Sequence, residues 1–461
     1  MKKTQAVLFF IMTGLFLSGE GALFAKNEIV SVSLVAATSI SDSLPQNALM
    51  GKKWRPDARA EYVKMHIYLD EPLSLGGIEV ESCSGAFRSK LSAYINFDGD
   101  FLDLTGNESK VTGALRNKIS ARSVTINFGN NTNLCIQSVK LLDQNMQPIR
   151  ISVPETVHSE VSATGTLAPV QSYDIMNLFD SRMENGWSSN GRVSGDEIKM
   201  EFSEKKSIIK LRIWNGYQRS DKHCYENSRV RTLEITGDGN YNQTVAVKDI
   251  MGYQDIPLAE KFTGKKLTIK IAAAYPGKTY KDLVISEMRF FDGKNWFMPD
   301  PIARLKAIAE ENRNLFGKSG LDEILDKTIR SDEGLTFRLR SDGSFFLEHQ
   351  FAVYQRNAQE HYFYALGNYE VKGNGSDEVH LRIFGYLRKR ITEYSMDCNG
   401  CGKDCNVQNR GEQAGPGETE GIFQDFITLK KKGEDYSIAN TGKKTRIPID
   451  PEMIIKLESV P

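Results

Sequence analysis

Ile198-Lys199-Met200-Glu201-Phe202, followed by Ile209-Lys210-Leu211-Arg212-Ile213-Trp214, decides the class of fold. Apolar and polar residues alternate in both stretches, so a β-strand places the apolar side chains on one face. A sheet with one apolar face needs a second sheet packed against it. Lys266-Leu267-Thr268-Ile269-Lys270-Ile271 and Ser286-Glu287-Met288-Arg289-Phe290-Phe291 continue the pattern downstream. Upstream, Met65-His66-Ile67-Tyr68-Leu69, Gly77-Ile78-Glu79-Val80 and Ser123-Val124-Thr125-Ile126-Asn127-Phe128 cluster β-branched and aromatic residues. Turn-rich pieces such as Asp98-Gly99-Asp100 separate them, and no useful stretch of helical period intervenes. Short strands at this spacing predict β-sandwiches over residues 26–152 and 153–300.

The two stretches resemble each other. Trp54 and Trp187 each follow a polar segment opened by Asn47 or Asn177. Eleven residues separate Ile67 from Ile78, and eleven separate Met200 from Leu211. Leu134-Cys135-Ile136-Gln137-Ser138-Val139 and Leu283-Val284-Ile285-Ser286-Glu287-Met288 open similar closing strands. A duplication is expected, with longer middle loops in the second copy.

Beyond residue 300 the pattern changes. Asp300-Pro301 reads as an N-cap followed by a first-position Pro, with Ile302, Leu305, Ile308 and Ala309 at helical spacing. Leu321, Ile324, Leu325 and Ile329 suggest another helical turn or two, so residues 301–333 are expected to form a helical linker. From 334 to 461 the sequence is again β-type. Hairpin turns are predicted at Ser341-Asp342-Gly343 and Gly373-Asn374-Gly375. The expectation is a small antiparallel barrel or curved sheet, with 397–421 as a long, exposed Cys- and Gly-rich loop. Tyr362, Phe363, Tyr364 and Tyr369 are expected to line one of its faces, with His361 and His380 as packing residues.

Composition narrows the class without naming an activity. The 461 residues balance 59 Lys+Arg against 59 Asp+Glu, with 40% hydrophobic residues, which excludes disordered, collagen-like and coiled-coil chains. Zero net charge disfavours broad capture of nucleic acid or anionic membrane. Lys2-Lys3 precede the apolar run Ala6–Leu17, and small residues follow up to Ala25. That order describes a secretory signal peptide over residues 1–25, whose core falls short of the ~20 residues of a membrane span. Export to the periplasm, the cell surface or the medium is expected, with the mature chain starting near Lys26.

One segment carries a more specific resemblance. Asn177-Leu178-Phe179-Asp180 leads to Trp187, then to Gly195-Asp196-Glu197-Ile198-Lys199-Met200-Glu201-Phe202. Ile213-Trp214-Asn215-Gly216-Tyr217-Gln218-Arg219-Ser220-Asp221-Lys222 continues to Tyr225, Asn227, Arg229 and Val230, and Ile285–Phe290 closes the pattern. Over about residues 155–298 this resembles the discoidin superfamily, the type C module of coagulation factors. Within it, the segment resembles the glycan-binding domain associated with secreted NAD glycohydrolases. A degenerate copy spans about 29–152, with Glu81-Ser82-Cys83 where Asn-Gly-Tyr would stand.

The resemblance implies galactose-binding-like jelly rolls whose ligands meet loops at one end. It implies ligand-binding roles for Tyr217, Lys222, Tyr225, Asn227 and Arg229, since sugars need aromatic faces together with amide or guanidinium groups. The opposite reading is that Asn215 and Arg229 bond loops internally while Tyr217 packs. The resemblance also implies a structural Ca²⁺ held by Asp180 and Glu287, with Glu184 as a helper; Ser181 and Arg182 depart from the usual Gly and Asp.

Six cysteines in an exported chain favour disulfides over thiolate metal sites. Cys83 with Cys135 is one candidate pair. Two of Cys398, Cys401 and Cys405 form another, leaving the third to reach Cys224. Three thiols at that spacing also suit Zn²⁺, although no fourth ligand is local. Sequence does not determine connectivity. No Gly-x-Ser-x-Gly elbow, His-Glu-x-x-His or phosphate loop is present, and Glu310-Glu311 falls on a solvated helix face.

These readings describe an exported, non-catalytic protein that binds a glycan or glycosylated surface, with adhesion as a role. One rival is an enzyme whose active site lies in residues 301–461, the sandwiches serving as targeting modules. The other is an envelope scaffold that binds protein. Convergent carboxylates or His in a C-terminal cleft would favour the enzyme, and a filled barrel would disfavour it.

Overall fold

The alternation around Ile198 and Leu211 becomes one bent strand, Glu197–Asn215, with Ile198, Met200, Phe202, Leu211 and Ile213 buried. It pairs antiparallel with Tyr253–Tyr275, and its second half with Val284–Phe291. Register breaks between Glu201 and Lys206 and between Ile208 and Lys210 bend it, so a single strand serves both sides of the sandwich. The molecule, a computed structural model, describes residues 29–457 except 38–42, 57–62, 84, 97–100, 108, 130, 132, 184, 193, 355–357, 399–404, 410–418, 443–448 and 450–452. The signal segment lies outside the described residues.

The first sandwich repeats this plan. Lys64–Ser82 has 19 residues, as does Glu197–Asn215, and it pairs with Lys110–Asn127 and Ile136–Leu142. Trp54 bridges antiparallel to Ile136, and Trp187 pairs antiparallel with Ile285, the two isoleucines aligned by the sequence comparison. Both tryptophans are fully buried, each in its own apolar core. The backbone also sets the register at the strand ends. Cys83 N donates to Cys135 O, and Gly216 N donates to Val284 O, both at 3.0 Å. Cys83 is therefore the counterpart of Gly216 in the other copy, one residue off the sequence alignment that placed Glu81-Ser82-Cys83 against Asn-Gly-Tyr. Cys83 and Cys135 form a disulfide with Cα atoms 5.3 Å apart. Cys224 is a buried free thiol, so it is not the partner of the C-terminal cluster.

The helix Ile302–Gly317 begins where the cap residues indicate, with Asp300 Oδ1 accepting from Ile302 N at 3.0 Å. Its stripe of Leu305, Ile308, Ala309 and Phe316 is buried, and a single 3₁₀ turn follows at Asp322–Ile324. The C-terminal strands are joined into a closed antiparallel barrel. In order these are Ala358–Asn374, Ser344–Tyr354, Leu335–Leu339, Ile329–Arg330, Met453–Leu457, Asp435–Asn440, Thr419–Lys432 and Glu378–Cys398, the last pairing with the first. Phe337, Phe345, Leu347, Phe363, Tyr369, Ile383 and Phe423 belong to the apolar cluster of this domain. His361 stacks on Phe351, and His380 bonds Thr428.

The expected loop at 397–421 is partly strand. Tyr394–Cys398 of Glu378–Cys398 pairs with Cys405–Asn409, which brings Cys398 opposite Cys405, whereas Cys401 falls outside the described residues.

Polar side chains join the three bodies. Arg212 of the second sandwich reaches Asp70 and Ser33 of the first, and Tyr253 Oη donates to Asp70 O at 3.0 Å. Its guanidinium lies 4.1 Å from the Tyr253 ring centre and 4.3 Å from that of Trp296. On the barrel side, Arg182 pairs with Asp342 while its Nη2 donates to Ala37 O of the first sandwich at 2.8 Å. Arg219 donates to Asn368, and Tyr173 stacks on Phe384 at 6.2 Å.

Candidate functional site

Asn215 ends the long strand of the second sandwich and is fully buried. Its amide both donates to and accepts from Val230, each at 2.8 Å, pinning the returning strand Arg229–Gly237. Gly216 turns the chain at φ +83°, and a Cβ there would lie 2.8 Å from Cys224 Sγ and 2.9 Å from Arg229 Cγ. Only glycine meets both conditions. Gly216→Ala should therefore lower stability by about 2–4 kcal/mol, from left-handed strain and overpacking. A urea midpoint equal to that of the native chain would refute this tight approach.

Tyr217 is buried and meets the His223 ring edge-on at 5.5 Å. Gln218 is buried too; its side chain donates to Asn215 O at 2.6 Å and accepts from Gly252 N at 2.8 Å. Ser220 caps the short helix Asp221–Glu226 by accepting from His223 N at 3.2 Å. Burial, with help from Arg219 and Lys222, depresses His223 to about 2, so it is neutral here. Burial raises the Cys224 thiol to about 11, which makes it an unreactive packing group.

The five candidate ligand residues fall into two sets that share Asn227. Arg229 is buried; it holds Asp249 through Nε at 2.6 Å and Nη2 at 2.9 Å, and Nη1 donates to Asn227 O at 2.6 Å. Its guanidinium also lies 5.2 Å from the Tyr225 ring centre. Asn227 caps the helix end, donating to His223 O at 2.8 Å. With Tyr217, these residues build the loop. Lys222 is exposed, and Tyr225 and Asn227 are half-buried, so groups available to a ligand come from the outer side of the helix.

A second loop joins them. Lys278 N donates to Tyr225 O at 3.0 Å and Tyr280 N to Glu226 O at 2.8 Å, so loop 276–282 lies along the helix. Gly277 permits this approach, since a Cβ would lie 2.5 Å from Glu226 O. Lys278 is exposed with its ammonium 5.8 Å from the Tyr225 ring centre, and Tyr280 is 45% exposed. The sequence reading missed Tyr280 and Lys278 because they lie some fifty residues beyond the helix. The signal was present in Pro276-Gly277-Lys278-Thr279-Tyr280-Lys281, a turn-rich loop between two core strands. Together the loops offer aromatic surface and cationic donors on a backbone held by hydrogen bonds.

Asp180 and Glu287 do come together beneath this domain, both buried. Burial raises Asp180 to about 6 against the pull of Arg182 and Asn185, and burial raises Glu287 well above the usual carboxylate range against Arg289. Glu184 lies outside the described residues. Asp180 already accepts from Arg182 N at 2.8 Å and from Asn185 Nδ2 at 2.7 Å. Arg289, 1% exposed, donates to Glu287 Oε2 and Ser181 Oγ at 2.6 Å and to Leu178 O at 3.3 Å. Ca²⁺ asks for six to eight oxygens at about 2.3–2.6 Å. A donor set already holding a guanidinium does not fit that ion.

Residues 153–291 match the family model described as the NAD glycohydrolase translocation F5/8 type C domain, so this sandwich is discoidin-like. Among solved structures, similar chains include the CBM32-1, CBM32-2 and M60 catalytic domains of Clostridium perfringens ZmpB. Identity is 10% over 60% of this chain and 38% of that one, with a TM-score of 0.24. The family 32 CBM of C. perfringens NanJ, solved with galactose, is 11% identical over 29% of this chain and 92% of that one, with a TM-score of 0.23. An f-lectin from striped bass (Morone saxatilis) serum is 12% identical over 57% and 96%, with a TM-score of 0.23. The chain thus spans 38% of the length of the ZmpB structure. No curated protein matches it.

Proposed function

We propose that this is an exported, non-catalytic protein that binds glycans through the loop end of its second sandwich, as an adhesin would. The observation that carries the reading is the face built by the helix Asp221–Glu226 and loop 276–282. Tyr280 offers an open ring, Lys222 and Lys278 offer ammonium donors, and the half-buried Tyr225 and Asn227 lie between. Sugars present C–H faces and hydroxyls, which these groups match. Preorganised loops lose little entropy when a ligand docks. A non-catalytic role for the C-terminal domain is supported by its apolar cluster of aromatic and aliphatic side chains. Among the described residues, no helix is long and apolar enough to cross a membrane. Export rests on the Lys2-Lys3 start and the apolar run to Leu17. An intact Met1 on extracytoplasmic material would count against it.

The two sets of residues should respond differently to mutation. Tyr280→Ala should weaken glycan affinity about tenfold, near 1.4 kcal/mol, with an unchanged urea midpoint. Tyr217→Ala and Arg229→Ala should lower the urea midpoint first, and binding should fall only with the folded fraction. Full affinity in a folded Tyr280→Ala, Lys278→Ala double variant would place recognition elsewhere.

A further inference from the structure

We infer that Arg289 is the built-in cation of the second sandwich, and that this domain keeps its fold and its loop geometry without a divalent ion. The guanidinium sits among oxygens from three separate places: the carbonyl of Leu178, the hydroxyl of Ser181, and the Glu287 carboxyl with the Met288 carbonyl beside it. Those groups belong to the loop that opens the domain and to the strand Val284–Phe291 that closes it, so one side chain ties start to end. The contacts to Glu287 and Ser181 are short, that to Leu178 is longer at 3.3 Å, and the side chain is almost fully withdrawn from water. Charge-assisted hydrogen bonds in such surroundings are among the strong ones.

Ser181 supplies a second observation. It holds φ +63°, a left-handed conformation that strains any residue with a Cβ. A serine at this position contributes something glycine lacks, namely the Oγ that accepts from Arg289 Nη2. Ser181 and Arg289 thus act as a pair across the domain. The neighbouring Arg182 is a third observation. Its backbone N–H caps Asp180, but its side chain leaves the loop for Asp342 and the Ala37 carbonyl. A residue that would add a negative ligand to a cation site is here a second cation, committed to a domain junction. Three positions in the loop and closing strand therefore agree on a site that already holds a protein cation.

The mechanical consequence concerns the loop end. Val284–Phe291 runs from Glu287 and Arg289 back to Ser286, whose Oγ accepts from Gln218 N at 2.9 Å. Arg289 therefore anchors the strand that positions Gln218 and the turn before the helix Asp221–Glu226. Ligand binding there should be insensitive to chelators.

The test uses the exported chain and thermal melting. The native chain should melt within about 1 °C in EGTA and in 5 mM Ca²⁺, because an ion without a site adds no linked stabilisation. Arg289→Met should melt about 6–12 °C lower in both, as expected for breaking a buried, hydrogen-bonded charge site in a chain of several domains. Arg289→Lys, which keeps the charge but cannot span three acceptors, should fall between the two, and it serves if the Met variant does not fold. The inference is overturned if Ca²⁺ raises the native midpoint by about 5 °C or more and Asp180→Asn abolishes the rise. It is equally overturned if Arg289→Lys melts with the native chain. Chelator sensitivity is read from melting alone, so failure here leaves the glycan reading standing.

Discussion

Replacing Asp342 with Asn should lower the stability of the chain by about 3–5 kcal/mol, because it leaves a buried guanidinium facing a neutral group. The Arg182 and Asp342 side chains are only 6% and 3% exposed. Asp342 also accepts from Ser344 N at 3.0 Å and Ser344 Oγ at 2.6 Å, so the turn of the barrel hairpin depends on it. Because Arg182 also holds Ala37 O, the change touches all three domains. Burial alone would raise the Asp342 carboxyl, yet Arg182, Arg340 and the Ser344 hydroxyl together hold it down to about 2. A depressed carboxyl contributes stability above its ordinary value near 3.8 and loses it as the pH falls toward 2. The native chain should therefore show a steeper loss of stability below pH 3.8 than Asp342→Asn. Urea titrations of both proteins at pH 7 and pH 3 read the two effects. Equal midpoints at pH 7 would show that the domains do not depend on this pair.

The second large effect concerns the paired tryptophans. Trp54→Ala and Trp187→Ala should each cost about 3–5 kcal/mol, the usual range for truncating a buried tryptophan. Each indole is fully buried against the strand that closes its sandwich, and Trp187 Nε1 also donates to Gly165 O at 3.1 Å. Trp54 packs on Phe128, with ring centres 5.9 Å apart. Similar losses from separate urea transitions would support equivalent roles. A loss under 1 kcal/mol for Trp54 would show that the first copy keeps the strand order but not the packing.

Most of the fold was readable because its determinants are local. Period-two alternation marks a strand wherever its partner lies, and it located both halves of Glu197–Asn215, which the sequence reads as two strands. Gly343 sits at φ +86° inside the hairpin turn read from Ser341-Asp342-Gly343. Asp300 caps its helix from two residues away. Matching Ile136 with Ile285 worked for the same reason, since both close an alternating strand.

The site was less readable because its partners are distant in sequence. The Asn-Gly-Tyr block is distinctive, yet what makes it distinctive is architecture: Asn215 clamps Val230, Gly216 admits Cys224, and Tyr217 packs on His223. The partner of Arg229 is Asp249, twenty residues on, and nothing local announces it. Tyr280 sits in a loop that reads as an ordinary turn until the backbone lays it along the helix. Arg289 occupies a polar position in an alternating strand, where sequence suggests a solvated side chain, and only the fold shows its burial. Arg182 and Asp342 looked like loop residues because domain junctions leave no periodic trace.

Sugar recognition belongs, in our proposal, to the loop end of the second sandwich. It is tested by a glycan array probed with the native chain beside its Tyr280→Ala, Lys278→Ala variant, both first shown to be folded. The native chain should bind a restricted set of glycans, and the variant should lose about tenfold or more in affinity for that set. A folded native chain that binds no glycan, or a variant with undiminished binding, would contradict it.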